Sequence, residues 1–399
     1  MKQEEIIAQA AKFFMPTYNR LPFILEKGEG TKVWDLEGKA YLDFVSGIAV
    51  NALGYNHPRL IKAIEEQVHQ ILHTSNLYWN LPQIEVARFL AEHTPYSRVF
   101  FANSGAEANE GAIKLARKYA ELKGYRERFE IIAMQNSFHG RTLATLAATG
   151  QEKFHKHFQP LPAGFKHVPF NDLEAFQKAV DEKTAAIMLE VIQGEGGINV
   201  ATKEFLQGIA DICRKNDILL IADEIQCGMG RTGKFFAFEH FGILPQIVTV
   251  AKSFGGGLPL GAVLALEEAA LSFTPGDHGS TFGGNPVAAA ASKAFLETLF
   301  EEKIMEKVQK NGAYFKKGLE ELVLKYAFVK EARGLGLMLG LETDGLASKV
   351  QKILLEKGVL VNAVNENTLR FLPPLNVKEE EIDYVLQNLD EIFLALKER

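Results

Sequence analysis

The chain has 399 residues, of which 47% are apolar and 24% charged, a composition typical of globular proteins with a large buried core. Its 44 basic and 50 acidic residues give a formal charge of -6, which argues against nucleic acid as a partner. The two cysteines exclude a disulfide framework and a four-cysteine zinc site, and no apolar run reaches the ~18 residues that cross a bilayer. We therefore expect a cytoplasmic protein with no metal, no nucleic acid and no membrane partner.

The first elements in the chain are a hairpin and then a long series of alternating strands and helices. The hairpin is predicted at 31–43, with its turn at Gly38. The predicted strands after the hairpin are runs of almost entirely apolar residues with no alternation of polar ones, as expected of parallel strands that are buried on both faces. They lie at 98–101, 131–134, 186–189, 218–221 and 247–250, and the clearest helices between them cover 107–122 and 203–215. This alternation predicts an α/β fold with a mostly parallel central sheet and helices on both faces.

From about residue 287 the pattern changes to longer, charged helical segments. They cover 290–299, 304–327, 346–357 and 380–397, and short apolar stretches at 335–341 and 369–372 interrupt them. Such a pattern favours a smaller α+β domain. We predict three parts: an N-terminal segment, 1–50, that packs with the small domain; a large domain, 51–288; and a small C-terminal domain, 289–399.

Small, polar and charged residues follow the predicted strands, where ligands bind in open α/β sheets. These segments are 102–109, 136–141, 190–197, 222–226 and 251–257. Taken singly, each is typical of a turn or a solvated cap. Together they supply a phosphate-binding helix start at Ser104, an aromatic ring at Phe138, an acid at Asp223 and an amine at Lys252. This combination is what pyridoxal 5′-phosphate (PLP) requires, since a lysine binds its aldehyde and an acid keeps its ring nitrogen protonated.

Longer blocks of sequence carry a family resemblance that runs from Gly30 through Pro374. The blocks are SGIAV at 46–50, NSGAEAN at 103–109, SFHGRT at 137–142, QGE at 193–195, DEIQCG at 223–228, RTG at 231–233, GSTFGGNP at 279–286 and RFLPP at 370–374. In these blocks and their order the chain resembles the class-III PLP-dependent aminotransferases. The resemblance implies fold type I of the PLP-dependent transferases.

The resemblance also implies roles for individual residues around the cofactor. Lys252 would bind PLP covalently and later move a proton, and Asp223 would pair with the ring nitrogen. Gln226 would bond the phenolic oxygen, and Phe138 would stack on the ring. Thr281 would reach the phosphate across a dimer interface, which implies a homodimer with shared active sites. The full implied cofactor set is Ser104, Gly105, Ala106, Phe138, Asp223, Glu224, Ile225, Gln226, Lys252 and Thr281.

Within the family, the resemblance implies transamination of N2-acetyl-L-ornithine with 2-oxoglutarate, giving N-acetyl-L-glutamate 5-semialdehyde and L-glutamate in arginine biosynthesis. Arg141 would hold the carboxylate far from the reacting amine, and Ser280 would contact the substrate. Arg370 would take the α-carboxylate of glutamate. Acetylornithine has no carboxylate beside its reacting amine, and Glu195 would then pair with Arg370. Lys252, Asp223 and Glu195 are thus the implied catalytic residues.

Alternatives remain open at this point. Ornithine, succinylornithine, 4-aminobutyrate or a carrier-linked lysine are other amine donors within the family, although 47–54 resembles the acetylornithine enzymes more than the ornithine ones. A nucleotide-binding or regulatory protein without turnover is an alternative of another class. The GMGRTG at 228–233 matches a dinucleotide-binding pattern, but no long helix or closing acid follows it, so its context argues against a nucleotide site.

Overall fold

The computed structural model describes residues 2–398, and its strands and helices alternate along most of the chain. The strands are β1 (Leu25–Glu29), β2 (Lys32–Asp35), β3 (Ala40–Asp43), β4 (Arg98–Ala102), β5 (Glu130–Met134), β6 (Phe165–Val168), β7 (Thr184–Leu189), β8 (Ile192–Gln193), β9 (Asn199–Val200), β10 (Leu219–Asp223), β11 (Ile247–Val250), β12 (Gly261–Ala265), β13 (Val329–Leu335), β14 (Met338–Thr343), β15 (Val359–Leu360), β16 (Asn362–Ala363) and β17 (Thr368–Phe371).

The helices are α1 (Gln3–Ala10), α2 (Ser46–Ala49), α3 (Pro58–Val68), α4 (Leu81–His93), α5 (Gly105–Leu122), α6 (Leu143–Ala148), α7 (Glu152–His155), α8 (Leu173–Ala179), α9 (Lys203–Asn216), α10 (Glu267–Ala270), α11 (Pro286–Glu301), α12 (Ile304–Lys325), α13 (Ala347–Glu356) and α14 (Glu379–Lys397). Two short 3-10 helices cover Ala237–Phe241 and Lys252–Gly255. Within residues 2–398, none of these helices combines the length and the apolar character that a bilayer crossing requires.

The central sheet has seven strands in the order β4-β12-β11-β10-β7-β5-β6. Strand β12 runs antiparallel to both of its neighbours, and the other strand pairs in the sheet are parallel. The predicted strands correspond to β4, β5, β7, β10 and β11, with only Ile218 outside its strand. The prediction of an α/β fold with a mostly parallel sheet is therefore confirmed. Strands β6 and β12 were not predicted.

Alternate residues of each central strand pack into two different cores, one on each face of the sheet. On one face, Ala186 and Met188 pack with the apolar side of α5. On the other, Ile187 and Leu189 pack with α9 through residues such as Phe205 and Ile209. Because successive side chains of a strand point to opposite faces, such strands must be apolar at every position. Helix cover on both faces follows from this pattern.

The C-terminal region contains a second sheet in the order β13-β14-β17-β16, and helix α12 packs on it. The predicted apolar stretch at 335–341 lies across the tight turn between β13 and β14. The N-terminal hairpin, β2 and β3, belongs to a third sheet, in which β3 pairs in parallel with β15 near the other end of the chain. This pairing joins the first fifty residues to the C-terminal region, while the three-part division itself stays a prediction.

Candidate active site

The carboxyl ends of β4, β5, β7, β10 and β11 border a cavity of about 460 Å³. The predicted site residues in its wall are Ser104, Gly105, Ala106, Phe138, Arg141, Asp223, Ile225, Gln226 and Lys252. They come from separate segments of the sequence and meet because parallel strands end at the same edge of the sheet. The cavity is thus where the five strand-end segments converge.

Lys252 lies at the second position after β11, with Ala251 between it and the strand. Its backbone has φ 52°, in the left-handed region that residues other than glycine rarely adopt. Hydrogen bonds from Phe254 N to Ala251 O and from Gly256 N to Ser253 O close the turn around it. Burial lowers the pKa of the Lys252 amine to about 8, and the charge of Arg370 acts in the same direction while Glu195 opposes it. The geometry therefore presents an amine that is easily deprotonated, as a nucleophile requires.

Asp223, the last residue of β10, is 3% exposed, and each of its two carboxylate oxygens lies within hydrogen-bond distance of at least one nitrogen atom. Oδ2 accepts a hydrogen bond from Asn109 Nδ2 at 2.8 Å and lies 2.8 Å from His139 Nδ1. Oδ1 accepts from the backbone N–H of Ile225 at 3.1 Å. These contacts hold a buried carboxylate in one orientation in the cavity wall. Asn109 and His139 were not assigned roles from sequence, although both stand inside the family blocks.

The start of α5 forms another part of the wall. Ser104 is its N-cap, and Ser104 Oγ accepts a hydrogen bond from Glu107 N at 3.2 Å. The N–H groups of Gly105 and Ala106 belong to the first turn, where N–H groups have no partner within the helix and favour anions. A Cβ at Gly105 would lie 2.9 Å from the Ile225 side chain, so glycine allows this close contact. The arrangement can hold a phosphate.

Phe138 and Arg141 follow β5 and lie near the mouth of the cavity. The Phe138 ring meets the Phe154 ring edge-on at 5.9 Å between centroids. The guanidinium of Arg141 lies over Phe154, 4.0 Å from its centroid, and 5.5 Å from that of Phe138. Arg141 is exposed, so its charge is available to a ligand that enters the cavity.

Arg370 and Glu195 form an ion pair beside Gln226 of the cavity wall, with the arginine buried and the glutamate partly exposed. Arg370 lies in β17 with 2% of its side chain exposed, and its Nη1 donates to Glu195 Oε1 at 2.6 Å. The same nitrogen donates to Gln226 Oε1 at 3.2 Å, and Nη2 donates to Asn362 Oδ1 at 3.3 Å. Burial raises the pKa of Glu195, but the charge and hydrogen bond of Arg370 outweigh it and lower the pKa below its ordinary value. The pair therefore favours the ionised form of Glu195.

Five predicted site residues do not line this cavity within one chain: Glu195 and Arg370, which lie beside Gln226, and Glu224, Ser280 and Thr281. The Glu224 carboxylate points away from the cavity and accepts hydrogen bonds from Ala237 N at 2.8 Å and Phe238 N at 2.9 Å, and its contact with the cofactor stays a prediction. Ser280 Oγ accepts from Asn103 Nδ2 at 3.0 Å, and Thr281 is exposed on the surface next to it.

Glu190 lines the cavity, although no role is predicted for it from the sequence. It directly follows β7, is 5% exposed, and accepts hydrogen bonds from Phe138 N at 2.8 Å and Gly194 N at 3.1 Å. Burial raises its pKa to about 7, while His139 lowers it and Asp223 raises it. Its position directly after a fully buried strand was the available signal.

Comparison with known proteins gives consistent matches over nearly the whole chain. The family "Aminotransferase class-III" matches residues 13–393. The acetylornithine aminotransferase of Caldanaerobacter subterraneus subsp. tengcongensis is 57% identical over 98% of this chain and 100% of that relative. The acetylornithine aminotransferase of Methanocaldococcus jannaschii is 52% identical over 100% of both chains.

A solved structure is similar in fold over the same extent. The ornithine aminotransferase of Toxoplasma gondii, crystallized in the presence of oxidized glutathione and with partial occupancy of PLP at its active site, superposes with a TM-score of 0.96. It is 35% identical in sequence, and the match covers 100% of this chain and 95% of that one.

Proposed function

The chain belongs to the class-III aminotransferases, and we propose that it transfers the terminal amino group of N2-acetyl-L-ornithine to 2-oxoglutarate. The products are N-acetyl-L-glutamate 5-semialdehyde and L-glutamate, and the reaction belongs to arginine biosynthesis. The observation that carries the proposal is the ion pair of Arg370 and Glu195 beside the cavity that contains Lys252. Two acetylornithine aminotransferases that are 57% and 52% identical support it.

The cofactor of this enzyme family is PLP, and the chemistry of the cavity wall fits it. The first-turn N–H groups of Gly105 and Ala106, beside Ser104, would hold the phosphate. The carboxylate of Asp223 would face the ring nitrogen and Phe138 would supply an aromatic surface. The side-chain amide of Gln226 and the amine of Lys252 complete the set.

When bound, PLP supplies an aldehyde that combines with amines and a ring that withdraws electrons from the reacting carbon. Lys252 would hold the aldehyde of the cofactor until an amine substrate replaces it, and Lys252 Nζ would hold the proton that the reacting carbon gives up. A pKa of about 8 suits this amine to accept and return a proton near neutral pH. Asp223, fixed by Asn109 and His139, would direct its carboxylate toward the ring nitrogen and favour a proton there.

Arg370 and Glu195 together let one site accept two different amine donors. Glutamate carries a carboxylate beside its reacting amine, and Arg370 is suited to bind it in a bidentate manner. Acetylornithine carries no such group, and a buried arginine without a partner is strongly unfavourable. Glu195 supplies that partner, and 30% of its side chain is exposed, so it has space to move when glutamate binds.

The charges in the cavity favour an amine donor whose other nitrogen is acylated. A free α-ammonium needs an anion, whereas an acetamide needs only space and neutral partners. Among the described residues that line the cavity, the carboxylates are Asp223 and Glu190, and both already bind groups of the protein. Arg141 at the mouth is suited to the distant carboxylate of acetylornithine.

Ornithine is the second candidate donor, because the T. gondii ornithine aminotransferase superposes with a TM-score of 0.96. The test is a panel of amine donors at fixed 2-oxoglutarate, with kcat/KM measured for acetylornithine, ornithine, succinylornithine, 4-aminobutyrate and a carrier-linked lysine. We expect acetylornithine to have the highest value. A wide advantage for any other donor contradicts the substrate assignment, and a protein that stays colourless with PLP contradicts the aminotransferase chemistry as well.

A homodimer with shared active sites completes the proposal. Apolar side chains on one surface are largely exposed: Leu77 85%, Tyr78 70%, Trp79 88% and Phe282 59%. Asn76 Nδ2 donates to Ser280 O and Gly283 O, so the two loops that carry these residues are in contact. A group of exposed large apolar side chains of this kind supports a subunit interface, and the exposed Thr281 directly precedes Phe282 in it.

A further inference from the structure

Glu190 connects two loops that take part in different tasks at the candidate site. Its Oε1 accepts the N–H of Phe138, whose ring faces the cavity, at 2.8 Å. Its Oε2 accepts the N–H of Gly194 at 3.1 Å, and Gly194 is the residue directly before Glu195. One buried side chain on the central sheet therefore anchors both the aromatic surface and the turn that carries the partner of Arg370.

Only a carboxylate fits this position. The two N–H groups point to two different oxygens, and an ionised carboxylate accepts on both. A glutamine at 190 has one oxygen, so its NH₂ group would face one of the N–H donors. The site around Gly194 is also tight, since a Cβ there would lie 2.2 Å from Gln226 Oε1. A small displacement of this turn therefore reaches Gln226, which bonds Arg370 at 3.2 Å.

We propose that Glu190 is a positioning residue that holds the Glu195 turn in place for pairing with Arg370 while it fixes Phe138 against the cavity. The inference rests on the proposed function and deepens it, because it names what sets the balance between the two amine donors. Loosening the turn weakens the pair of Glu195 and Arg370, which acetylornithine needs and glutamate does not. Loss of Glu190 therefore harms the acetylornithine half-reaction more than the glutamate half-reaction.

The ionisation of Glu190 adds a second consequence. The titratable and charged groups that act on it are His139, Asp223, Lys252 and Cys227. Burial raises the pKa of Glu190 to about 7, so its carboxylate is ionised above that pH and becomes protonated below it. Protonation places a hydrogen on one of the two accepting oxygens. The ratio of the two half-reactions should therefore shift toward glutamate as the pH falls through about 7.

The test compares Glu190→Gln with Glu239→Gln. Glu239 is a control because its Oε1 also accepts a backbone N–H group, that of Phe236 at 2.9 Å, and it lies outside the cavity wall. Each holoenzyme is mixed with acetylornithine or glutamate, and kcat/KM is read from the loss of the visible cofactor band. We expect the acetylornithine-to-glutamate ratio to fall about tenfold in Glu190→Gln and to stay at the wild-type value in Glu239→Gln. Amide hydrogen exchange is expected to become faster at 190–197 in Glu190→Gln alone.

An unchanged ratio in Glu190→Gln, or equal losses in both half-reactions, overturns the inference, and so does unchanged exchange at Gly194. The pH dependence of the ratio in the unmodified enzyme, corrected for ionisation of the amines themselves, tests the inference even if Glu190→Gln does not fold. A flat ratio between pH 6 and 8 then overturns it. Failure of the proposed function looks different, because the unmodified enzyme would not react with acetylornithine.

Discussion

Replacing Glu195 with glutamine changes the partner of a buried arginine without changing its shape. Arg370 is 2% exposed, and its Nη1 lies 2.6 Å from Glu195 Oε1. After the substitution an oxygen remains in reach, together with those of Gln226 and Asn362, but the negative charge is lost. The change therefore isolates the charge of Glu195 from its size.

The magnitude follows from the kind of hydrogen bond that is lost. A hydrogen bond to a charged group contributes about 1.5–3 kcal/mol and a neutral one about 0.5–1.5 kcal/mol, a difference of roughly 1–2 kcal/mol. Because 30% of the Glu195 side chain is exposed, solvent screens the pair and the lower part of that range applies. We expect kcat/KM for acetylornithine to fall about 5- to 12-fold. Glutamate brings its own carboxylate to Arg370, so its kcat/KM should stay the same or rise.

Both values are measured from the PLP form of the enzyme, by stopped-flow recording of the visible cofactor band with each amine. Glu297→Gln is the control, since Glu297 Oε2 lies 2.6 Å from Arg59 Nη2, is similarly exposed, and belongs to α11 outside the cavity wall. Equal losses with both amines, or a larger loss with glutamate, would refute the pairing argument.

Three further outcomes are expected. The rate at which apoenzyme combines with PLP, recorded by stopped-flow absorbance, should rise with pH around a midpoint of about 8. With that pKa roughly a quarter of the Lys252 amine is neutral at pH 7.5, against about a thousandth for an ordinary lysine. A midpoint near ~10 contradicts this prediction. Ile48→Gly should change the free energy of unfolding in urea by less than ~1 kcal/mol. The backbone of Ile48 has φ 61°, and the strain that glycine relieves there is about as large as the stability lost with the partly exposed side chain. A loss of stability above ~2 kcal/mol refutes this balance. Thr281→Val should weaken PLP binding about tenfold in equilibrium titrations while the dimer mass persists in light scattering, and unchanged affinity argues against a shared site.

The central sheet and the strand-end segments could be predicted because each rests on local composition. Strand β7 is buried at every residue and is apolar from Ala185 to Leu189, and this is visible in five consecutive letters. The direction of a strand leaves no such trace. Strand β12 is as buried as its neighbour β11, and only its hydrogen bonds to β4 and β11 show that it runs antiparallel to both. The sequence therefore predicts the layers of the fold better than the order and direction of the strands.

In the candidate site, too, local sequence patterns predict some residues and not the contacts between distant ones. Glu195 and Arg370 are 175 positions apart, so only the family resemblance, and no local pattern, could pair them before the structure did. Asp223 and Glu224 stand in one block, and the resemblance assigns both to the cofactor. Side chains alternate across a strand, however, so when Asp223 at the end of β10 faces the cavity, the next side chain turns to the opposite side.

Glu190 illustrates the opposite case, a residue whose role no local pattern predicts although its position is visible. Like Glu224, it follows a fully buried strand, and each carboxylate accepts two backbone N–H groups from later or earlier loops. The two glutamates differ in the side of the sheet edge that they face. Because side chains alternate, the direction of each glutamate is opposite to that of the last residue of its strand, Leu189 in β7 and Asp223 in β10. A charged side chain at or directly after the end of a buried strand therefore faces the cavity only when the alternation of the strand directs it there, as it does for Asp223 and Glu190 and not for Glu224.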